Sequence, residues 1–144
     1  MEVIFNKALV PLDNSEQSLR ALHKAGELAS AGVIKNLVLL NVYDSSKVDI
    51  TKLHSQDKLD ELRAESLELL QTFESILVEK GVHPRLKRAG GEPSSLILDV
   101  VDNDGEYDLI IMGSRKLNKF KELALGSVSD RVGRLVDIPV LIVK

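Results

Sequence analysis

Residues 108–143 read DLIIMGSRKLNKFKELALGSVSDRVGRLVDIPVLIV, and this stretch decides the fold. Its opening apolar run, residues 109–112, is continuous rather than alternating, as expected of a strand covered on both faces in a parallel sheet. Gly113 and Ser114 end that strand, and a polar loop carrying Arg115, Lys116, Lys119 and Lys121 follows. Gly126, Ser127, Val128 and Ser129 then form the tight start of a helix that the pattern carries to about Val136. Pro139 breaks the helical pattern, and residues 140–143 supply a last apolar strand. The unit is strand, loop, helix, strand.

Upstream, strands and helices alternate in the same way. Residues 7–12, with residues 3–5 before them, predict a first strand, and Pro11 ends it at a tip where a missing N–H does no harm. Asp13 and Asn14 are turn residues. Ser15 is placed to cap a helix in which Leu19, Leu22, Ala25, Leu28 and Ala29 recur at helical spacing until Gly32. Residues 36–42, NLVLLNV, predict a second strand, and residues 43–56 a long polar loop with a short helical turn. A long amphipathic helix is expected over residues 57–80, with Leu59, Leu62, Leu69, Leu70, Phe73, Ile76 and Leu77 on one stripe and Gly81 as its stop. Residues 85–89 alternate apolar and charged side chains, which suits a strand near the sheet edge. Pro93 and Ser94 open a short helix with Leu96, Ile97, Val100 and Val101 facing inward. The expected fold is α/β, a single doubly wound domain spanning residues 1–144. Its mostly parallel sheet has about five strands, with helices on both faces.

A chain of 144 residues with 44% hydrophobic and 28% charged residues has the composition of a soluble globular protein. No apolar run approaches the roughly 18 residues of a membrane span. The start, MEVIFNKALV, lacks a cationic region followed by a long apolar segment, so the expected location is cytoplasmic, with no membrane partner. The absence of cysteine excludes disulfides, thiolate metal sites and cysteine nucleophiles. A net charge of −3 and an aromatic content of 3% argue against nucleic acid as a partner, which needs a basic surface or a stacking platform. Against that acidic background Arg115, Lys116, Lys119 and Lys121 form a local basic cluster opposed only by Glu122. It reads either as a solvated loop or as an attractor of phosphate.

In a doubly wound sheet the carboxyl end of a strand and the amino end of the next helix face one crevice, where such folds bind ligands. Unpaired N–H groups and the dipole of a helix start favour an anion there. Gly113 and Gly126 would let phosphate oxygens approach the backbone, and the hydroxyls of Ser127 and Ser129 would add hydrogen bonds or reach a metal ion. Asp13, at the carboxyl end of the first strand, joins this set, although an aspartate there is also a common turn residue. Glycines and serines punctuate ordinary βα loops as well, so these residues alone leave a phosphate site and a plain loop both open. Other chemistries lack their residues. His23, His54 and His83 are scattered, no G-x-S-x-G nucleophile turn is present, and GGEPSS at residues 90–95 is too short for a phosphate loop with lysine.

The same residues resemble the universal stress protein (UspA-like) family, which has an adenine nucleotide alpha hydrolase-like fold. Its ATP-binding branch carries G-x-x-G-x9-G-[ST], and the string from Gly113 to Gly126-Ser127 has the matching length, with Lys116 in place of the middle glycine. LVPLDNSEQS, residues 9–18, looks like the family's first strand and turn. The resemblance implies that the first and fourth strands lie side by side. It places adenine against the main chain near Val42, with Pro11, Leu12 and Asp13 bordering the ribose and a Mg2+ ion bound with ATP, the metal falling to Asp13. Met112, Gly113, Gly126, Ser127, Val128 and Ser129 would surround ribose and phosphates, and Ser114, Arg115 and Lys116 belong to the same motif loop. It also implies a homodimer through the last strand. Three functions follow as readings: a regulatory protein that binds an adenine nucleotide, a dimeric interaction module that binds none, and a slow phosphate-cleaving enzyme. The last has no general base or nucleophile in view beyond Asp13.

Overall fold

The computed structural model describes residues 3–114 and 127–144, the side chain of Lys47 excepted. Within them the strands are β1 (Phe5–Pro11), β2 (Ile34–Tyr43), β3 (Arg85–Gly90), β4 (Leu109–Gly113) and β5 (Val140–Val143). The helices are α1 (Glu16–Ser30), α2 (Ser55–Val78), α3 (Pro93–Asn103) and α4 (Ser127–Leu135). All strand pairs are parallel and the order is β3-β2-β1-β4-β5. The chain winds from β1 outward to β3, then returns to the other side of β1 with β4, so the strand order reverses between β1 and β4.

Side chains that alternate along each strand divide the core in two. Ala8, Val10, Leu37, Leu39, Leu109 and Ile111 pack with Leu22, Ala25, Phe73 and Leu77 of α1 and α2 on one face. Leu9, Val38, Leu40, Ile110 and Met112 pack with Ile97, Val100 and Val132 of α3 and α4 on the other. This two-sided burial is why the strands read as unbroken apolar runs. Among the described residues no helix is long and apolar enough to cross a membrane.

Local chemistry sets the ends of the elements. Ser15 caps α1 by accepting the Ser18 N–H at 3.1 Å. Gly32 and Gly81 follow α1 and α2 with φ of 83° and 78°, the left-handed conformation that ends a helix at least cost in glycine. A single 3-10 turn, Ser45–Lys47, lies in the long loop after β2, as expected. Two boundaries and one burial pattern depart from the sequence reading. Residues 3 and 4 stay exposed outside β1, because the Ile4 and Phe5 N–H groups both turn to the Val33 carbonyl. β2 starts earlier, at Ile34, since the ladder to β1, with Phe5 beside Ile34 and Lys7 beside Asn36, holds even its polar Lys35 and Asn36 extended. In α2 the buried positions are Ser66, Leu70, Phe73 and Leu77, while Leu59, Leu62, Leu69 and Ile76 on the predicted stripe are only half-buried.

Candidate functional site

Because β1 and β4 part company at the strand-order reversal, their carboxyl ends border an open space. A cavity of about 590 Å³ lies there. Pro11, Leu12 and Asp13 enter it from the end of β1, Leu40 and Val42 from β2, and Met112, Gly113 and Ser114 from β4. Ser127, Val128 and Ser129 come from the start of α4, Pro93 and Ile97 from α3, and Ser15, Gln17 and Ser18 from α1. The cavity therefore brings together every candidate residue that the structure describes. Arg115, Lys116 and Gly126 lie outside the described residues.

Asp13 is exposed, and its position is fixed from the first turn of α1. Its N–H donates to Ser18 Oγ at 2.8 Å, and the Ser18 hydroxyl donates back to Asp13 Oδ1 at 2.8 Å. Next to it, Asn41 Nδ2 donates to the Leu12 carbonyl at 2.8 Å, and Asn41 is buried. Two buried polar side chains, Ser18 and Asn41, thus pin the strand tip that presents the carboxylate.

On the β4 side, Gly113 packs directly on α1: a Cβ there would stand 2.5 Å from the Gln17 carbonyl oxygen. Ser114 follows, 1% exposed, with its N–H donating to the Val143 carbonyl at 2.9 Å. Its Oγ is buried and has no hydrogen-bond partner among the described residues. A buried hydroxyl left unpaired is costly.

Besides the start of α1, two helix starts face the cavity, and they differ chemically. At α3 the N–H groups of Ser94 and Ser95 already donate to the Glu92 carboxylate, at 3.2 Å and 2.8 Å. The Ser95 side chain first, then the Ser95 N–H, the Ser94 side chain and the Ser94 N–H, hold the Glu92 carboxyl by hydrogen bonding at about 2, below its ordinary 4.5. Arg131 of α4 reaches across and donates to Ser94 Oγ at 2.8 Å, with its Nη1 3.4 Å from Glu92 Oε2. The α3 start is thus occupied by the protein's own anion, whereas Ser127, Val128 and Ser129 bring the α4 start to the cavity wall.

Ser18, Asn41, Glu92 and Arg131 were not singled out in the sequence. Ser18 and Asn41 act through contacts between separate elements, which no local pattern encodes. Glu92 precedes Pro93, a helix-start signal, but glutamate is not among the usual capping residues. For metal, no group of three or more His, Asp or Glu side chains converges among the described residues. A cation beside Asp13 would therefore take most of its ligands from phosphate oxygens and water, as Mg2+ commonly does.

The Universal stress protein family model matches residues 5–144. Universal stress protein YxiE of Bacillus subtilis is 36% identical over 98% of this chain and 100% of its own length. Among solved structures, hypothetical protein MJ0577 superposes with a TM-score of 0.83 at 27% identity, covering 99% of this chain and 97% of that one. An Arabidopsis thaliana protein of the universal stress family, solved with AMP bound, gives a TM-score of 0.68 at 20% identity, covering 96% and 91%. With the strand order, the reversal between β1 and β4 and a near full-length match in agreement, the chain belongs to the universal stress protein family.

Proposed function

We propose that this chain is a regulatory protein that binds an adenine nucleotide, ATP with Mg2+, in the cavity at the carboxyl ends of β1 and β4. The observation that carries this reading is the composition of the cavity wall. It combines an anchored carboxylate at Asp13 with the start of α4, which brings Ser127 and Ser129 to the wall. Its volume of about 590 Å³ lies in the range of small-molecule sites. Adenine rests beside Val42, the ribose between Leu12 and Met112, and the phosphates reach the start of α4. Asp13 meets the cation. The AMP held by the Arabidopsis protein of the same fold supports the ligand class. Residues 1–144 act as one domain, working in the cytoplasm as a homodimer joined through β5. Binding serves regulation, and turnover is not required of it.

Lys116 decides how well the site holds phosphate, because a glycine at that motif position brings its backbone to the ligand and a Cβ hinders this. The lysine ammonium offers a charged contact in return, worth on the order of 1.5–3 kcal/mol. Calorimetry with Mg-ATP on wild type, Lys116→Gly and Lys116→Ala separates these effects. The expected result is modest, salt-sensitive binding by the wild type, with Lys116→Ala the weakest of the three. Binding by Lys116→Gly alone would mean that lysine blocks the site. If none of the three binds, the nucleotide reading fails, and the dimeric interaction module takes its place.

A further inference from the structure

Arg131 stands about one turn into α4, and its guanidinium leaves its own helix. Arg134 of the same helix pairs with Asp130, four residues back, at 3.3 Å. That is the ordinary resort of an exposed arginine on a helix. Arg131 instead crosses to the start of α3, where its Nη1 donates to Ser94 Oγ at 2.8 Å and lies 3.4 Å from both Ser95 Oγ and Glu92 Oε2. A single nitrogen thus serves three acceptors. Ser94 is 3% exposed, and its hydroxyl extends the contact by donating to the Glu92 carboxylate, 2.9 Å from each oxygen.

This bridge ties together two parts of the cavity wall. Pro93 and Ile97 of α3 line the cavity with Leu40 and Val42, on the side where the base is proposed to rest. Ser127, Val128 and Ser129 of α4 line it where the phosphates are proposed to reach. Away from the starts, Val132 of α4 is fully buried in one apolar cluster with Ile97 and Val100 of α3. Apolar packing of that kind is non-directional, so it holds the bodies of the helices without fixing the register of their starts. The hydrogen bonds of Arg131 supply the direction that the packing lacks.

We propose that Arg131 is a positioning residue that holds the base wall and the phosphate wall at one spacing, and so makes the cavity select an intact nucleotide over a nucleoside or a free polyphosphate. This role rests on the nucleotide reading of the cavity. A ligand made of two joined halves benefits from the second half only when both subsites stand at the separation its own linkage fixes. A loosened spacing removes that benefit, while each half alone still finds its own wall. Arg131 acts through α3 and α4 rather than on the ligand, since it does not line the cavity.

The test is amide NMR titration of the full chain with Mg-ATP, adenosine and magnesium tripolyphosphate, on wild type, Arg131→Met and Arg131→Lys, with thermal melts alongside. Wild type is expected to bind Mg-ATP and, much more weakly, each fragment. Arg131→Met keeps the stem and removes the donor; it should weaken Mg-ATP about tenfold and each fragment less than about twofold. Arg131→Lys should recover most of the loss, because one ammonium nitrogen carries three N–H donors and the native contact uses one nitrogen. A merely structural role would lower the melting temperature and weaken all three ligands together, and a long-range effect of the lost charge would weaken Mg-ATP and tripolyphosphate alike. Either pattern would overturn the proposal, as would unchanged Mg-ATP affinity in Arg131→Met, no recovery in Arg131→Lys, or fragments that fail to bind a wild type that binds Mg-ATP. If wild type binds no Mg-ATP, the nucleotide reading itself fails and the role of Arg131 falls with it.

Discussion

Gly113, the last residue of β4, lies against the first turn of α1, so that a Cβ on it would stand 2.5 Å from the carbonyl oxygen of Gln17. The neighbouring atom is backbone, which has no rotamer to move out of the way. The missing side chain is therefore required by helix-on-strand packing, before any approach of phosphate is considered. Gly113→Ala should push α1 off β4 and cost about 1–3 kcal/mol, the usual range for overpacking. Denaturant unfolding measures this directly. A stability equal to wild type would show that the α1 start shifts freely, and the packing argument would fail.

Glu92 sets a pH dependence with a definite sign. Its carboxyl is held at about 2 in the fold, against an ordinary 4.5. Because the folded value is the lower one, the unfolded chain binds the proton first as pH falls. The contribution is complete above about 4.5, declines as pH falls below that value, and is gone below about 2. Glu92→Gln should therefore flatten the acid limb of the stability curve while changing the slope near neutrality little. Circular dichroism melts between pH 2 and pH 7 would read this. An unchanged acid limb would mean that the Ser94 and Ser95 contacts are not maintained in solution.

The fold was largely legible, because a parallel sheet covered on both faces leaves a direct mark. LIIM at residues 109–112 and NLVLLNV at residues 36–42 have no solvent side to display, and β4 and β2 stand there. Glycine and proline punctuated the helices where Gly32, Gly81 and Pro93 now sit. What escaped the sequence depends on distance in space. The capping role of Glu92 needs its side chain to fold back on Ser94 and Ser95, and its link to Arg131 joins residues 39 positions apart. The stripe of α2 looked uniform, yet periodicity cannot say how deeply each position is covered, and Leu59, Leu62, Leu69 and Ile76 are half-buried. Gly113 was found for its approach to phosphate, whereas its close neighbour is Gln17, which no motif spacing discloses.

At the edge of the sheet, β5 pairs among the described residues with β4 on one side only, and Leu141 keeps 37% of its surface exposed. An edge strand with an apolar side chain invites pairing with another copy. Light scattering at micromolar concentration should show a dimer, and Val140→Lys should shift it toward monomer, because a charge at the edge opposes pairing. A monomeric wild type, or a dimer indifferent to Val140→Lys, would remove β5 as the interface.

The last expectation concerns the pair that presents the carboxylate to the cavity at the ends of β1 and β4. Ser18 Oγ accepts the Asp13 N–H and donates its own proton to Asp13 Oδ1, so a single hydroxyl fixes both the backbone and the side chain of the aspartate. Removal of the charge and removal of the brace then have different consequences. Asp13→Asn keeps the shape and loses the charge proposed to meet the cation, so Mg-ATP should bind about tenfold more weakly, while ATP without magnesium changes little. Ser18→Ala leaves the charge in place but releases it and leaves the Asp13 N–H without that acceptor. It should weaken Mg-ATP by a smaller factor and also lower the melting temperature, since Ser18 is buried. Asp13→Ala should remain folded, because Asp13 is exposed and contributes little to the core. Calorimetry with and without magnesium, alongside thermal melts, separates these cases. Equal loss in both conditions would remove the cation from the role of Asp13, and unfolding of Asp13→Ala would make the aspartate a structural turn residue alone.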